Sequence, residues 1–151
     1  MRQVTIVLSD LRSLYNVGSF FRTGDGAGVA EIICCGTTGT PKNRRLWKVS
    51  LGAEQTVSWR YSATTTEAIE QLKKQNYQII GVEITNTSIP YTTANYQEKV
   101  ALVFGSEPTK GLTEDVLSLC DITVHVPMRG QKNSLNVAVV GGIVIYHLLN
   151  D

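Results

Sequence analysis

Short apolar runs recur along the chain, each ended by glycine, proline or a polar residue. They occupy positions 4–8 (VTIVL), 31–35 (EIICC), 79–84 (IIGVEI), 100–104 (VALVF) and 122–126 (ITVHV). These runs are β-branched and largely continuous instead of alternating, the pattern of strands covered on both faces. Helical stretches lie between them at 17–27, 65–75 and 113–119, with a last one at 135–149. Strands that alternate with helices predict an α/β fold on a mainly parallel sheet with helices on both faces. No repeat, low-complexity tract or linker divides the chain, so residues 1–151 read as a single domain.

The last segment, LNVAVVGGIVIYHLL, has a β-branched run that fits a strand, but its length favours a helix. It is apolar nearly all round, which predicts burial in the core or in a subunit contact. Gly141 and Gly142 each cost about 1 kcal/mol relative to alanine in a helix interior and are best tolerated where another backbone packs closely. A buried helix of this kind at the C-terminus points to a homodimer, with Gly142 and Ile145 in the subunit contact.

Composition narrows the class. The chain has 151 residues, 42% hydrophobic and 18% charged, which argues against disorder and coiled coil. No apolar run approaches the ~20 residues of a membrane span. The opening MRQVTIVLSDLR is cut off by Ser9 and Asp10, too soon for a signal peptide. The expectation is a soluble, cytoplasmic domain with no membrane partner. Cys34, Cys35 and Cys120 form neither a disulfide framework nor a C-x-x-C metal pattern, and read as buried apolar residues in a reducing compartment. His125 and His147 read as structural, and no cluster has metal-ligand spacing, so no metal is expected.

The net charge of +1 supplies no broad field for nucleic acid, so any such partner must use a local patch. The loop at 36–48 (GTTGTPKNRRLWK) offers one, with Lys42, Arg44, Arg45 and Lys48 around Trp47. Cations beside an aromatic suit a phosphate backbone with a stacked base, although a solvated loop accounts for the composition equally well. Arg129 and Lys132, ahead of the last helix, extend the set.

The glycines at 24, 26 and 28 come at the end of the first predicted helix and before the second strand, where helix termination explains them better than a dinucleotide fingerprint. Three further clusters carry candidate chemistry: 16–23 (NVGSFFRT), 102–107 (LVFGSE) and 126–137 (VPMRGQKNSLNV). Each has a plain structural reading. Asn16 and Ser134 could be helix N-caps, and Arg22 a surface cation. The second cluster is a strand running into a glycine turn, the place where open α/β sheets bind ligands.

Taken in order, N-x-G-x-x-x-R-T, then LVFGSE, then PMRG with SLNVAV, the chain resembles the SpoU (TrmH-like) RNA ribose methyltransferases of the SPOUT class. The resemblance runs from Asn16 to Tyr146 and is closest to minimal, catalytic-domain-only members. One departure is visible: Pro108, Thr109 and Lys110 separate Glu107 from Gly111, where family members usually have two residues. The resemblance implies a C-terminal deep trefoil knot, a feature that spacing alone would not predict. It also implies S-adenosylmethionine as cofactor, held by loops near 82–85, 105–107, 126–130 and 134–135, with Val82, Gly105, Val126, Met128, Ser134 and Leu135 in contact.

The implied reaction moves a methyl group from sulfonium to a ribose 2′-hydroxyl of tRNA or rRNA. By resemblance Arg22 is the central catalytic group, with Asn16, Glu107, Ser134 and Asn136 holding it and the nucleotide around a buried guanidinium. Two roles for Arg22 are open: a proton acceptor forced by its surroundings, or a cation that positions phosphate and stabilises the developing alkoxide. Arginine is almost never a base in proteins, which favours the second. The implied RNA partners use Lys42, Arg44, Arg45, Lys48, Arg129 and Lys132. A catalytically inactive knotted module that binds RNA or the cofactor is the alternative. A flavodoxin-like nucleotide domain is weaker, for want of a phosphate loop.

Overall fold

Strand β1 (Gln3–Ser9) runs through the middle of the sheet, and the computed structural model, which describes residues 1–106 and 111–150, shows why its sequence is so continuously apolar. Val4, Ile6 and Leu8 face one core and Val7 faces a second, so both sides of the strand are packed. The chain continues through α1 (Leu14–Ala27), β2 (Glu31–Cys35), α2 (Trp47–Ser50), α3 (Ala53–Thr56), β3 (Trp59–Ser62) and α4 (Thr65–Lys74). It ends with β4 (Gln78–Val82), β5 (Ile89–Pro90), β6 (Lys99–Gly105), α5 (Glu114–Leu119), β7 (Ile122–His125) and α6 (Val137–Leu149). The strands form a seven-stranded sheet in the order β3-β2-β1-β6-β4-β7-β5, and every pairing is parallel.

Helices α1 and α6 cover one face, where Val17, Phe20 and Phe21 meet Val144, Ile145 and Leu148 over β1 and β6. Helices α4 and α5 cover the other through Ala68, Ile69, Leu72 and Val116. The α/β reading with helices on both faces therefore holds, while β3 and β5 were not anticipated. Both are edge strands paired on one side only. Their sequences, WRYS and IP, lack the apolar run of a central strand, and proline is tolerated at an edge.

Helix α1 ends at Ala27 as expected, with Gly28, left-handed at φ 84°, as its cap, while Gly24 and Gly26 lie within its last turns. Gly26 instead admits the Tyr146 hydroxyl, which a Cβ would meet at 2.7 Å. In α6, Gly141 receives the Phe20 ring, not a backbone, and Gly142 faces open space. Ile145 is fully buried in the core of its own chain and is not available to a subunit contact. The outward stripe of α6 is Val139 (51% exposed), Ile143 and Tyr146 (42%).

Among the described residues no helix is long and apolar enough to cross a membrane. Burial pushes the Cys34 and Cys35 thiols from the ordinary 9.0 up to about 12. Unfolded, the same thiols ionise near 9.0, so above that pH the unfolded chain holds fewer protons and folding stability falls. The Tm is expected to drop as pH is raised from about 8 to about 10, and a Cys34→Ala, Cys35→Ala variant to lose part of that drop.

Candidate active site

The C-terminal ends of β4, β6 and β7 open onto a cleft of about 440 Å³ that is also lined by the segment leading into α6. Val82, Gly105, Val126, Met128, Ser134 and Leu135 all line it, although they come from separate stretches of sequence. Phe104, Val137 and Val140 add apolar wall; Glu83 and Ile84 fall in the expected 82–85 loop, whereas His125 and Asn133 were not anticipated. The acidic Glu83 interrupts the apolar run that was read as strand through position 84. Observed β4 stops at Val82, which leaves Ile84 51% exposed beside the cleft. A volume of this size with apolar walls and a few polar groups suits a small organic ligand, within the ~300–1,000 Å³ usual for such sites.

The start of α6 is fixed by Asn136, not Ser134. The Asn136 side-chain oxygen accepts the N–H groups of Ala138 at 2.8 Å and Val139 at 3.4 Å. With its oxygen committed to the helix, the amide nitrogen points away and donates to Asn16 Oδ1 at 3.2 Å. Asn16 is not a cap either; Ser13 caps α1 and accepts the Asn16 backbone N–H at 3.2 Å. The first and third motifs are thus joined side chain to side chain, next to the residues that line the cleft.

Arg22 lies elsewhere. Six positions after Asn16, it is turned by about 240° and moved about 9 Å along the helix. It is exposed on α1, in a shallow hollow of about 310 Å³ with Tyr15, Ser19, Thr23, Lys48 and Val49. Within this chain, and among the described residues, it bonds none of Asn16, Ser134 and Asn136. The expected buried guanidinium is corrected accordingly: a single chain leaves Arg22 in solvent. Glu107 lies outside the described residues. Next to it, among the described residues, the Gly111 N–H donates to the Ser106 carbonyl at 2.9 Å.

The basic side chains Lys42, Arg44, Arg45 and Lys48 are all exposed. Trp47 is held by donating its indole N–H to the Pro41 carbonyl at 2.9 Å, and the Arg44 guanidinium lies 5.7 Å from its ring centroid. Lys48 borders the Arg22 hollow, so the basic loop and that arginine share a surface. Arg129 and Lys132 are exposed on the connection whose Met128 lines the cleft. Among the described residues no group of three or more His, Cys, Asp and Glu could hold a metal ion.

A parallel sheet with a ligand-sized cleft at its C-terminal edge defines an α/β ligand-binding domain. Comparison with known proteins names it further. Residues 3–146 match the SpoU rRNA Methylase family, and the chain belongs to that family. It is 31% identical over 148 residues to a tRNA (guanosine(18)-2′-O)-methyltransferase of Borreliella burgdorferi, covering 97% of this chain and 66% of that protein. The SpoU methyltransferase AviRb from Streptomyces viridochromogenes, solved in complex with AdoMet, shares the fold. Its TM-score is 0.89 at 21% identity, over 98% of this chain and 57% of that one. A further solved structure, described as giving insight into the 2-OH methylation of C/U34 on tRNA, has a TM-score of 0.83 at 24% identity, over 97% of this chain and 93% of that one. The chain spans between 57% and 66% of the length of curated relatives it matches.

Proposed function

We propose that this chain is an S-adenosylmethionine-dependent methyltransferase acting on a ribose 2′-hydroxyl of tRNA or rRNA, as a homodimer. The observation that carries this reading is the convergence of residues from β4, β6, β7 and the approach to α6 on one cleft of about 440 Å³. The cleft fits the cofactor in size and chemistry. Strand-end backbone groups around Gly105 and Val126 can bond adenine and ribose, and Val82, Met128 and Leu135 supply apolar contact.

When bound, S-adenosylmethionine supplies an electrophilic methyl group. The ribose hydroxyl is a poor nucleophile, so this chain's residues must align its oxygen and offset the charge that develops on it. Arg22 is suited to the charge, because its guanidinium stays protonated and can fork onto phosphate. The Asn16–Asn136 pair offers neutral hydrogen bonds beside the cleft.

The dimer explains the exposed arginine. Tyr15, Ser19, Arg22 and Gly26 form one ridge of α1, and Val139, Gly142, Ile143 and Tyr146 form the outward stripe of the adjoining α6. Val139 and Tyr146 are half-exposed apolar groups, and the small residues permit close approach of a second copy. A two-fold contact on this face covers Arg22 and doubles each basic patch along one groove. The knot belongs to the same proposal. What supports it is the course of the chain after β7, which crosses past β4 to lay α6 over β6 and β1.

Incubation with labelled S-adenosylmethionine and total RNA, followed by mapping of the labelled nucleotide, tests the reading. Label in a 2′-O-methyl ribose of tRNA or rRNA is the expected result. Cofactor binding with no transfer to any RNA would overturn the activity in favour of a binding module.

A further inference from the structure

Glu83 follows the last residue of β4, and both ends of it are committed. Its backbone N–H donates to the Val124 carbonyl of β7 at 2.9 Å. Its carboxylate Oε1 accepts the backbone N–H of Leu112 at 3.0 Å. Leu112 is only 6% exposed, so water is a poor substitute for that acceptor. The neighbouring Gly111 is left-handed at φ 73°, and a Cβ there would overlap the Glu83 carboxylate. On its other side, a Cβ on Gly105 would come within 2.8 Å of the Gly111 carbonyl carbon and 2.9 Å of the Leu112 side chain. Carboxylate, Gly111 backbone and Gly105 are therefore stacked with no space for a side chain between them. Glu83 and Gly105 both border the cleft.

From this stack we infer that Glu83 is a positioning residue. It latches the limb returning from the second-motif loop onto the end of β4, and so sets the separation of the 82–84 and Gly105 walls of the cleft. A carboxylate suits the task because a hydrogen bond to an ionised acceptor is about twice as strong as a neutral one. The inference rests on reading the cleft as the S-adenosylmethionine site.

The test is calorimetric S-adenosylmethionine binding to the wild type, Glu83→Ala and Glu83→Gln, with amide exchange at Leu112 and Tm measured on each. Glu83→Ala should weaken affinity about tenfold and speed exchange at Leu112, while Glu83→Gln, which keeps an acceptor oxygen, should stay within about threefold. If Glu83→Ala does not fold, Glu83→Leu takes its place. Unchanged affinity in the truncated variant would overturn the latch, as would slow exchange at Leu112. Equal losses in Glu83→Gln and Glu83→Ala would overturn it too, because charge and not the bond to Leu112 would then matter. A wild type that binds no S-adenosylmethionine is a different failure: it refutes the cofactor reading, and the inference falls with it.

Discussion

Arg22→Ala is expected to abolish methyl transfer while leaving S-adenosylmethionine affinity within about twofold, since a surface change far from a cleft moves free energies by less than ~0.5 kcal/mol. The side chain is exposed on α1 and absent from the cleft lining, so neither fold nor cofactor contact depends on it. On the proposed function its work is on the RNA, where a fixed cation would stabilise charge that appears only during transfer. Losing one such group typically costs about 10²–10³ in kcat. Arg22→Lys should fail as well, because an ammonium is a point charge that cannot reproduce the planar fork. Single-turnover transfer and cofactor calorimetry on both variants check this, and near-normal turnover in Arg22→Lys would remove Arg22 from the centre of the mechanism.

The second large effect separates two positions on α6 that look alike in sequence. Ile145→Glu should prevent folding, because Ile145 is fully buried among α1 and β-sheet side chains and an unpaired carboxylate there costs several kcal/mol. That is comparable to the whole stability of a domain, roughly 5–15 kcal/mol. Val139→Glu should fold normally. Val139 is 51% exposed in the first turn of α6, where a negative charge suits the helix N-terminus. On the proposed contact face, however, the charge meets its own copy across the two-fold axis, so the dimer should split and RNA methylation should be lost with it. Arg44→Ala combined with Arg45→Ala is the control: RNA binding and its salt dependence should weaken while dimer mass stays the same. Light scattering and filter binding decide the outcome. A fully active monomer of Val139→Glu would refute the dimer.

The central strands were legible because each is buried on both faces, which leaves an unbroken apolar run at 4–8 and 100–104 in the sequence. The motif residues Val82, Gly105, Val126, Met128, Ser134 and Leu135 were legible through family resemblance, and they meet at one cleft. Edge strands β3 and β5 were not, since pairing on one side demands no such run. The cap of α6 was equally hidden: Ser134 and Asn136 are both good cap residues, and only the bonds to Ala138 and Val139 select the asparagine. The phase of α6 could not be read at all, because a helix apolar on every side has no stripe to orient it. Packing of Phe20 onto Gly141 orients it, turning Ile145 inward and Val139 outward. Arg22 shows the same limit at the site itself. Its motif names the residue, but the helical rotation between positions 16 and 22 carries it away from Asn16, so its neighbours depend on what covers α1. Local sequence determines which element a residue joins; where two elements meet, the fit between their surfaces determines which side chains face each other.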